Sequence, residues 1–170
     1  MSTSNNNLSG LIYDAYALIG TRTPIKADCG KLCGKACCKG DAAGMVLFPG
    51  EEFILSGVSG FYIEDIEYMD IHGIKLLLCD GKCNRDLRPL ACRIFPVAPD
   101  INDSGNIGVQ ADIRGRRMCP IWDLEHVDKD FIESIEKVFA LLGQDETMLF
   151  FLRLISAEIK SIRRFYKKRC

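Results

Sequence analysis

The sequence predicts an α+β fold: a small irregular body of short β-hairpins, closed by a C-terminal helical hairpin. Turn-forming residues punctuate short extended stretches through most of the chain, and two apolar stripes of helical period occupy its end. Between the two lies the third observation, a set of grouped, glycine-flanked cysteines.

Residues 1–7 are polar and predict a disordered start. "LSGLIYDAYALIG" (8–20) then has helical spacing at Leu11, Ala15, Leu18 and Ile19. "CGKLCGKACC" (29–38) contains Gly30 and Gly34 and runs on to Gly40, which predicts a loop wrapped around something rather than a continuous helix. "GMVLFPGEEF" (44–53) predicts a short strand leading to a turn at Pro49-Gly50, with a helix starting in 51–59. The closely spaced carboxylates of "IEDIEYMD" (63–70) predict a solvated helix face. "HGIKLLLCDGKC" (72–83) predicts a hairpin turning at Asp80-Gly81, and residues 93–114 predict another around "NDSG".

The last elements carry the strongest signals. A helix over 128–143 has Asp128 or Asp130 as its cap, Phe131, Ile135, Val138 and Leu142 on one stripe, and Gly143 at its end. A second begins near Asp145 and aligns Met148, Leu152, Ile155, Ile159 and Ile162. At 170 residues the chain is expected to form a single domain, 1–170, with a body at about 20–122 and the helical hairpin at about 128–168.

Hydrophobic residues make up 48%, enough for a core that needs no cross-links. The net charge of −1 favours no partner, but it is unevenly spread: residues 153–170 hold seven Lys/Arg against Glu158 alone. Such a helix end is expected to be solvated, its cations favoured by the helix dipole; nucleic acid is not the expected partner, while a protein partner stays open. The polar start "MSTSNNNLSG" lacks the pattern of an export signal, and the apolar run "MLFFL" (148–152) is too short to span a bilayer. The expectation is a cytoplasmic protein with no membrane role. A reducing compartment keeps thiols free, so grouped cysteines there point to metal ligation or catalysis before disulfides.

Eight of the nine cysteines fall in four places: Cys29, Cys33, Cys37 and Cys38; Cys79 and Cys83; Cys92; and Cys119. Cys170 is the final residue and is set aside. A metal needs deprotonated sulfurs converging on one point, and short spacings with glycine between let a loop turn its sulfurs inward. Grouped thiolates also call for positive charge nearby. Residues 26–39 carry Lys26, Lys31, Lys35 and Lys39 against Asp28; residues 75–93 carry Lys75, Lys82, Arg85, Arg88 and Arg93 against Asp80 and Asp86; Arg114, Arg116 and Arg117 precede Cys119. All eight grouped cysteines are therefore the expected metal ligands. An iron–sulfur cluster is favoured over zinc, because adjacent side chains such as Cys37 and Cys38 are expected to diverge and to suit one tetrahedral ion poorly. His72 and His126 stand apart from the cysteines and are read as ordinary surface or core residues.

"CGKLCGKACC", "GMVLFPGEE" and "CDGKCNRDLRPLACRIFP" together resemble the YkgJ-like cysteine-cluster proteins, a zinc- or iron-chelating family with a CxxCxxCC motif. The resemblance covers roughly residues 29–120. Its most specific part is "RPLACRIFP", where Arg88, Pro89, Cys92, Arg93, Phe95 and Pro96 match the family's pattern. This chain differs in spacing, with three residues between cysteines where the family has two. The resemblance implies a metal-binding cysteine cluster of unassigned reaction, redox or metal handling among the options, and marks Arg88 and Arg93 as cofactor-binding residues. An enzyme with an open-site cluster acting on a small molecule or protein side chain is one alternative. A zinc-stabilised adaptor using the basic C-terminal helix is another.

Overall fold

The computed structural model describes residues 3–39, 44–81 and 84–168. It has the expected α+β architecture, with small antiparallel sheets and a pair of long helices at the C-terminus.

Helix α1 (Thr3–Ile19) begins well before the predicted start, so from Thr3 onward the expected disorder is replaced by helical backbone. Its buried Ile12, Ala15 and Ile19 face the main core, and that anchored face carries the polar turns that precede it. Helix α5 (Lys129–Leu142) and helix α6 (Glu146–Lys167) follow the sequence closely. The Asp128 carboxylate accepts hydrogen bonds from the amides of Asp130 and Phe131, and Asp145 does the same for Thr147 and Met148. Phe131, Ile135, Val138 and Leu142 are buried on α5, as are Met148, Leu152, Ile155 and Ile159 on α6. Phe151 meets Phe48 edge to face at 5.0 Å between centroids.

Strands β4 (Val97–Ile101) and β5 (Ile107–Ala111) form the expected hairpin, pairing from Val97↔Ala111 to Ile101↔Ile107. It packs against α6. The Ser156 hydroxyl accepts a hydrogen bond from the Ile101 amide, the Lys160 ammonium pairs with Asp100, and the Arg163 guanidinium donates to the Ala111 carbonyl. Part of the basic charge of α6 is thus committed to holding this hairpin.

The other sheet differs from expectation. Strand β2 (Phe61–Tyr68) occupies the segment expected to be an acidic helix face, and it pairs with β3 (Ile71–Cys79), which also pairs with β1 (Met45–Val46) in the order β1-β3-β2. The hairpin turns at Met69-Asp70, both at positive φ, and not at Asp80-Gly81. Lys75 and Asp65, opposite each other in the register, form a cross-strand ion pair at 2.5 Å. Leu47, Leu55 and Leu77 make a small second core beneath this sheet, Leu55 coming from α3 (Glu51–Leu55).

Among the described residues no helix is long and apolar enough to cross a membrane.

Candidate functional site

The first cysteine group is not a plain loop. Cys29–Cys33 forms one short helix, α2, capped by the Asp28 carboxylate accepting the Gly30 amide at 3.1 Å. Gly34 ends it at φ 59, a left-handed position that a side chain would disfavour. Cys29 and Cys33 are four residues apart, hence one turn apart on the same helix face, and the Cys33 thiol lies 3.7 Å from the Cys29 carbonyl oxygen. A 3-10 turn then carries Ala36–Cys38. The approach to α2 is tied down at α5, where the Asp128 amide donates to the Pro24 carbonyl and Lys26 pairs with Asp128 and Asp130.

The Cys37 and Cys38 sulfurs do not diverge as neighbours were expected to. They stand 3.8 Å apart. Metal–sulfur bonds of about 2.3 Å in a tetrahedron place two sulfurs at roughly that separation, so adjacency does not bar this pair from one ion. The hydrogen bond from Cys37 pulls the Cys38 thiol down to about 6 against the opposing effect of burial, and Arg88 and Lys35 add to the lowering. Cys37, which keeps the shared proton, is pushed up.

Cys92 sits on a short helix, α4 (Leu90–Ile94), whose start is fixed by a residue that no sequence signal marks out. Glu51 is fully buried, and its carboxylate accepts hydrogen bonds from the Leu90 amide (2.5 Å), the Phe48 amide (2.8 Å) and the Tyr16 hydroxyl (2.6 Å). Burial pushes Glu51 up to about 7, with these donors and Arg93 opposing the rise. Tyr16 is pushed up in turn, first by burial and then by the Glu51 charge. The Arg93 guanidinium lies 4.0 Å over the Tyr16 ring and donates to the carbonyls of Arg88 and Asp86. Arg93, expected to bind a cofactor, here shapes the turn that presents Arg88. No periodicity marks a buried carboxylate, so Glu51 could not be found from the sequence pattern.

Cys119 follows a 3-10 turn over Ile113–Arg117 and donates its amide to the Gly115 carbonyl. Burial raises its thiol, and the Ile121 amide opposes this. Cys79 ends β3, exposed. Gly81 follows at φ 73, where a Cβ would come within 2.2 Å of the Cys38 carbonyl oxygen. That close backbone approach sets the end of the sheet beside the first cysteine group. Cys83 lies outside the described residues.

All seven described cysteines of the expected set are free thiols, and together they line two cavities with a common wall. The smaller, of about 60 Å³, is bordered by Cys29, Cys33 and Cys119. The larger, of about 240 Å³, is bordered by Cys38 and Cys79. Cys37, Cys92 and Arg88 belong to both. The sulfurs are spread over the walls: among the described residues, no three His, Cys, Asp or Glu side chains converge closely enough to hold a metal ion.

The basic residues sort into two kinds. Arg85 and Arg88 both oppose the burial that pushes the Cys29 thiol up, and Arg85 also stands 3.8 Å from Asp28. Lys75 and Lys26 pair with carboxylates elsewhere, and Arg114 is taken up by Asp112 at 2.8 Å and Glu158 at 3.0 Å. His72 is exposed beside Glu67, and His126 is exposed in a 3-10 turn. The donor chemistry fits a thiophilic metal: free sulfurs, half-buried for the most part, with guanidinium charge beside them.

Comparison with protein-family models, with curated proteins and with solved structures finds no match.

Proposed function

We propose that this chain is a metal-binding cysteine-cluster protein of the YkgJ-like kind, working in the reducing cytoplasm, with an iron–sulfur cluster favoured over zinc. One observation carries the reading: cysteines from four separate segments, far apart in sequence, line one pair of adjoining cavities as free thiols. Cys29, Cys33 and Cys119 are the proposed ligands on the smaller side, Cys38 and Cys79 on the larger, and Cys37 and Cys92 between them; Cys83, outside the described residues, completes the proposed set. The spread of the sulfurs over a volume, rather than about a point, favours a cluster over a single zinc ion. Arg85 and Arg88 offset thiolate charge, and Arg93 holds the Arg88 turn in place. When bound, a cluster would supply electron transfer or Lewis acidity.

The test is purification without oxygen, followed by iron, sulfide and zinc analysis and a visible spectrum. Brown protein with iron and sulfide near stoichiometric supports the cluster. Colourless protein with stoichiometric zinc moves the reading to a zinc-stabilised adaptor. Metal-free protein with its grouped cysteines in disulfides overturns both.

A second reading, an enzyme with an open site, is favoured by the larger cavity, which gives a small molecule room beside Cys37 and Cys92. The adaptor reading is weakened by α6, where Lys160 and Arg163 already bind the β4–β5 hairpin. A protein partner for the remaining basic end of α6 stays open as a proposal.

A further inference from the structure

We propose that Cys37 and Cys38 form a two-sulfur site for a monosubstituted trivalent arsenical, whose organic group occupies the larger cavity. The inference goes beyond the metal-centre reading, since it needs two free thiols and no resident metal.

Side chains of adjacent residues ordinarily diverge, yet the 3-10 turn over Ala36–Cys38 brings the two sulfurs to 3.8 Å. Among the described residues no third His, Cys, Asp or Glu converges with them closely enough to complete a metal site. The pair as it stands therefore suits a centre that takes two protein sulfurs and brings its own remaining substituent. A linear two-coordinate ion with bonds of about 2.3 Å would need the sulfurs roughly 4.6 Å apart. A three-coordinate pyramidal centre with bonds of similar length needs roughly 3.5 Å, which a small turn about the cysteine side-chain torsions supplies. Trivalent arsenic has that geometry and is soft, so thiolate sulfur is a preferred donor.

Both cysteines border the larger cavity, and Cys37 is exposed, so the pair is open to a reagent from solvent. A substituent on arsenic bound there has beside it a space of about 240 Å³, above the roughly 150 Å³ apolar cavity that accommodates benzene. Met45, Phe61, Leu77, Phe95 and Met118 line that space with apolar surface contributed by three strands, the segment after α4 and the turn before Cys119. One ring-sized apolar group is buried there favourably, whereas a bare hydroxyl on arsenic gains nothing from such a wall. The adduct, with two sulfurs and one carbon on trivalent arsenic, is neutral and calls for no charged partner. The exchange balances without an oxidant. Two S–H bonds break and two S–As bonds form, while the oxygen of R–As=O leaves as water with both protons and arsenic stays trivalent.

The full-length protein, purified without oxygen, is analysed for iron, sulfide and zinc, then reduced, stripped with chelator and given one equivalent of phenylarsine oxide. Trypsin separates the cysteines, because Lys26, Lys31, Lys35 and Lys39 place Cys29 in 27–31, Cys33 in 32–35 and the Cys37–Cys38 pair in 36–39. Mass spectrometry should find the phenylarsenic bridge inside 36–39, and Cys37→Ser should remove it. A bridge joining 27–31 to 32–35, or arsenic spread evenly over the cysteine peptides, would overturn the proposal. Competition with ethanedithiol then measures the hold on each arsenical. Met118→Trp, which fills the cavity from a position 44% exposed, should weaken the hold on phenylarsine oxide at least about tenfold, the worth of burying a ring, and leave that on inorganic arsenite unchanged. Equal loss for both compounds, or no loss, would remove the cavity from the site and overturn the proposal; the peptide map on the unaltered chain decides even where the variant does not fold. Protein that carries no metal as purified but bridges 36–39 would uphold this site and remove the metal reading; protein that carries metal but takes up arsenic elsewhere would do the reverse.

Discussion

Replacing Glu51 with glutamine tests which of two opposing effects governs the buried hub behind Cys92. Burial pushes the carboxyl from its ordinary 4.5 up to about 7, while three donors and Arg93 pull the other way. Tyr16, pushed far up, stays protonated throughout the range that matters. In the folded protein Glu51 therefore holds its proton to higher pH than in the unfolded chain. A group raised in this way contributes stability that is complete below about 4.5 and is lost as pH rises to about 7. At about 1.4 kcal/mol per pH unit, that loss is roughly 3 kcal/mol, a large share of a typical domain's total of about 5–15 kcal/mol. Glu51→Gln cannot titrate, so the stability of wild type relative to this variant should fall by roughly 3 kcal/mol across that window. Guanidinium unfolding followed by circular dichroism, in reducing buffer with chelator, measures the difference at each pH. A difference that stays flat, or that grows in favour of wild type as pH rises, would show that the three donors outweigh burial and keep the carboxylate ionised.

Three further outcomes follow from other parts of the molecule. In metal-free reduced protein at neutral pH, iodoacetamide should alkylate Cys38 ahead of Cys29 and Cys119, and Cys37→Ser should slow that reaction; peptide mass spectrometry reads the order, and equal rates would refute the lowering of Cys38. Gly81→Ala should lower the melting temperature, because left-handed φ costs a side chain about 1–2 kcal/mol and the Cβ would meet the Cys38 carbonyl besides; an unchanged melting temperature would mean that the approach yields easily. Asp145→Ala should cost about 1 kcal/mol by chemical denaturation, through loss of the cap at the start of α6.

The C-terminal helices were legible because a cap, a stripe and a stop agree, as in Asp128, Phe131 to Leu142, and Gly143. The β4–β5 hairpin was legible from "NDSG" between extended pieces. Strand β2 was not, for two physical reasons. Ile63 and Ile66, both half-buried, are three apart and lie on opposite faces of the strand, and the pairing slips between Ile66 and Tyr68, so the half-buried positions do not alternate strictly and the apolar spacing mimics a helix. Its turn uses Met69 and Asp70 at positive φ, where glycine and asparagine are the residues that announce a tight hairpin; Asp80-Gly81 offered that signal at the wrong place. At the candidate site, the grouped cysteines that the sequence singles out and the structure describes, Cys29, Cys33, Cys37, Cys38, Cys79, Cys92 and Cys119, line two adjoining cavities. The Glu51 hub and the apolar wall of the larger cavity were invisible, since both depend on side chains brought together by tertiary packing.

The short helix α2 and the 3-10 turn behind it contain no buried residue, whereas the main core is assembled from α1, α4, α5, α6 and the start of β4. The first cysteine group is thus carried on the outside of a scaffold whose apolar interior closes without it. A polypeptide arranged in this way can be synthesised, folded and held in readiness before any metal reaches it. On the proposed metal reading, loading would be a late, separable stage of maturation, reversible by a chelator without unravelling the helices.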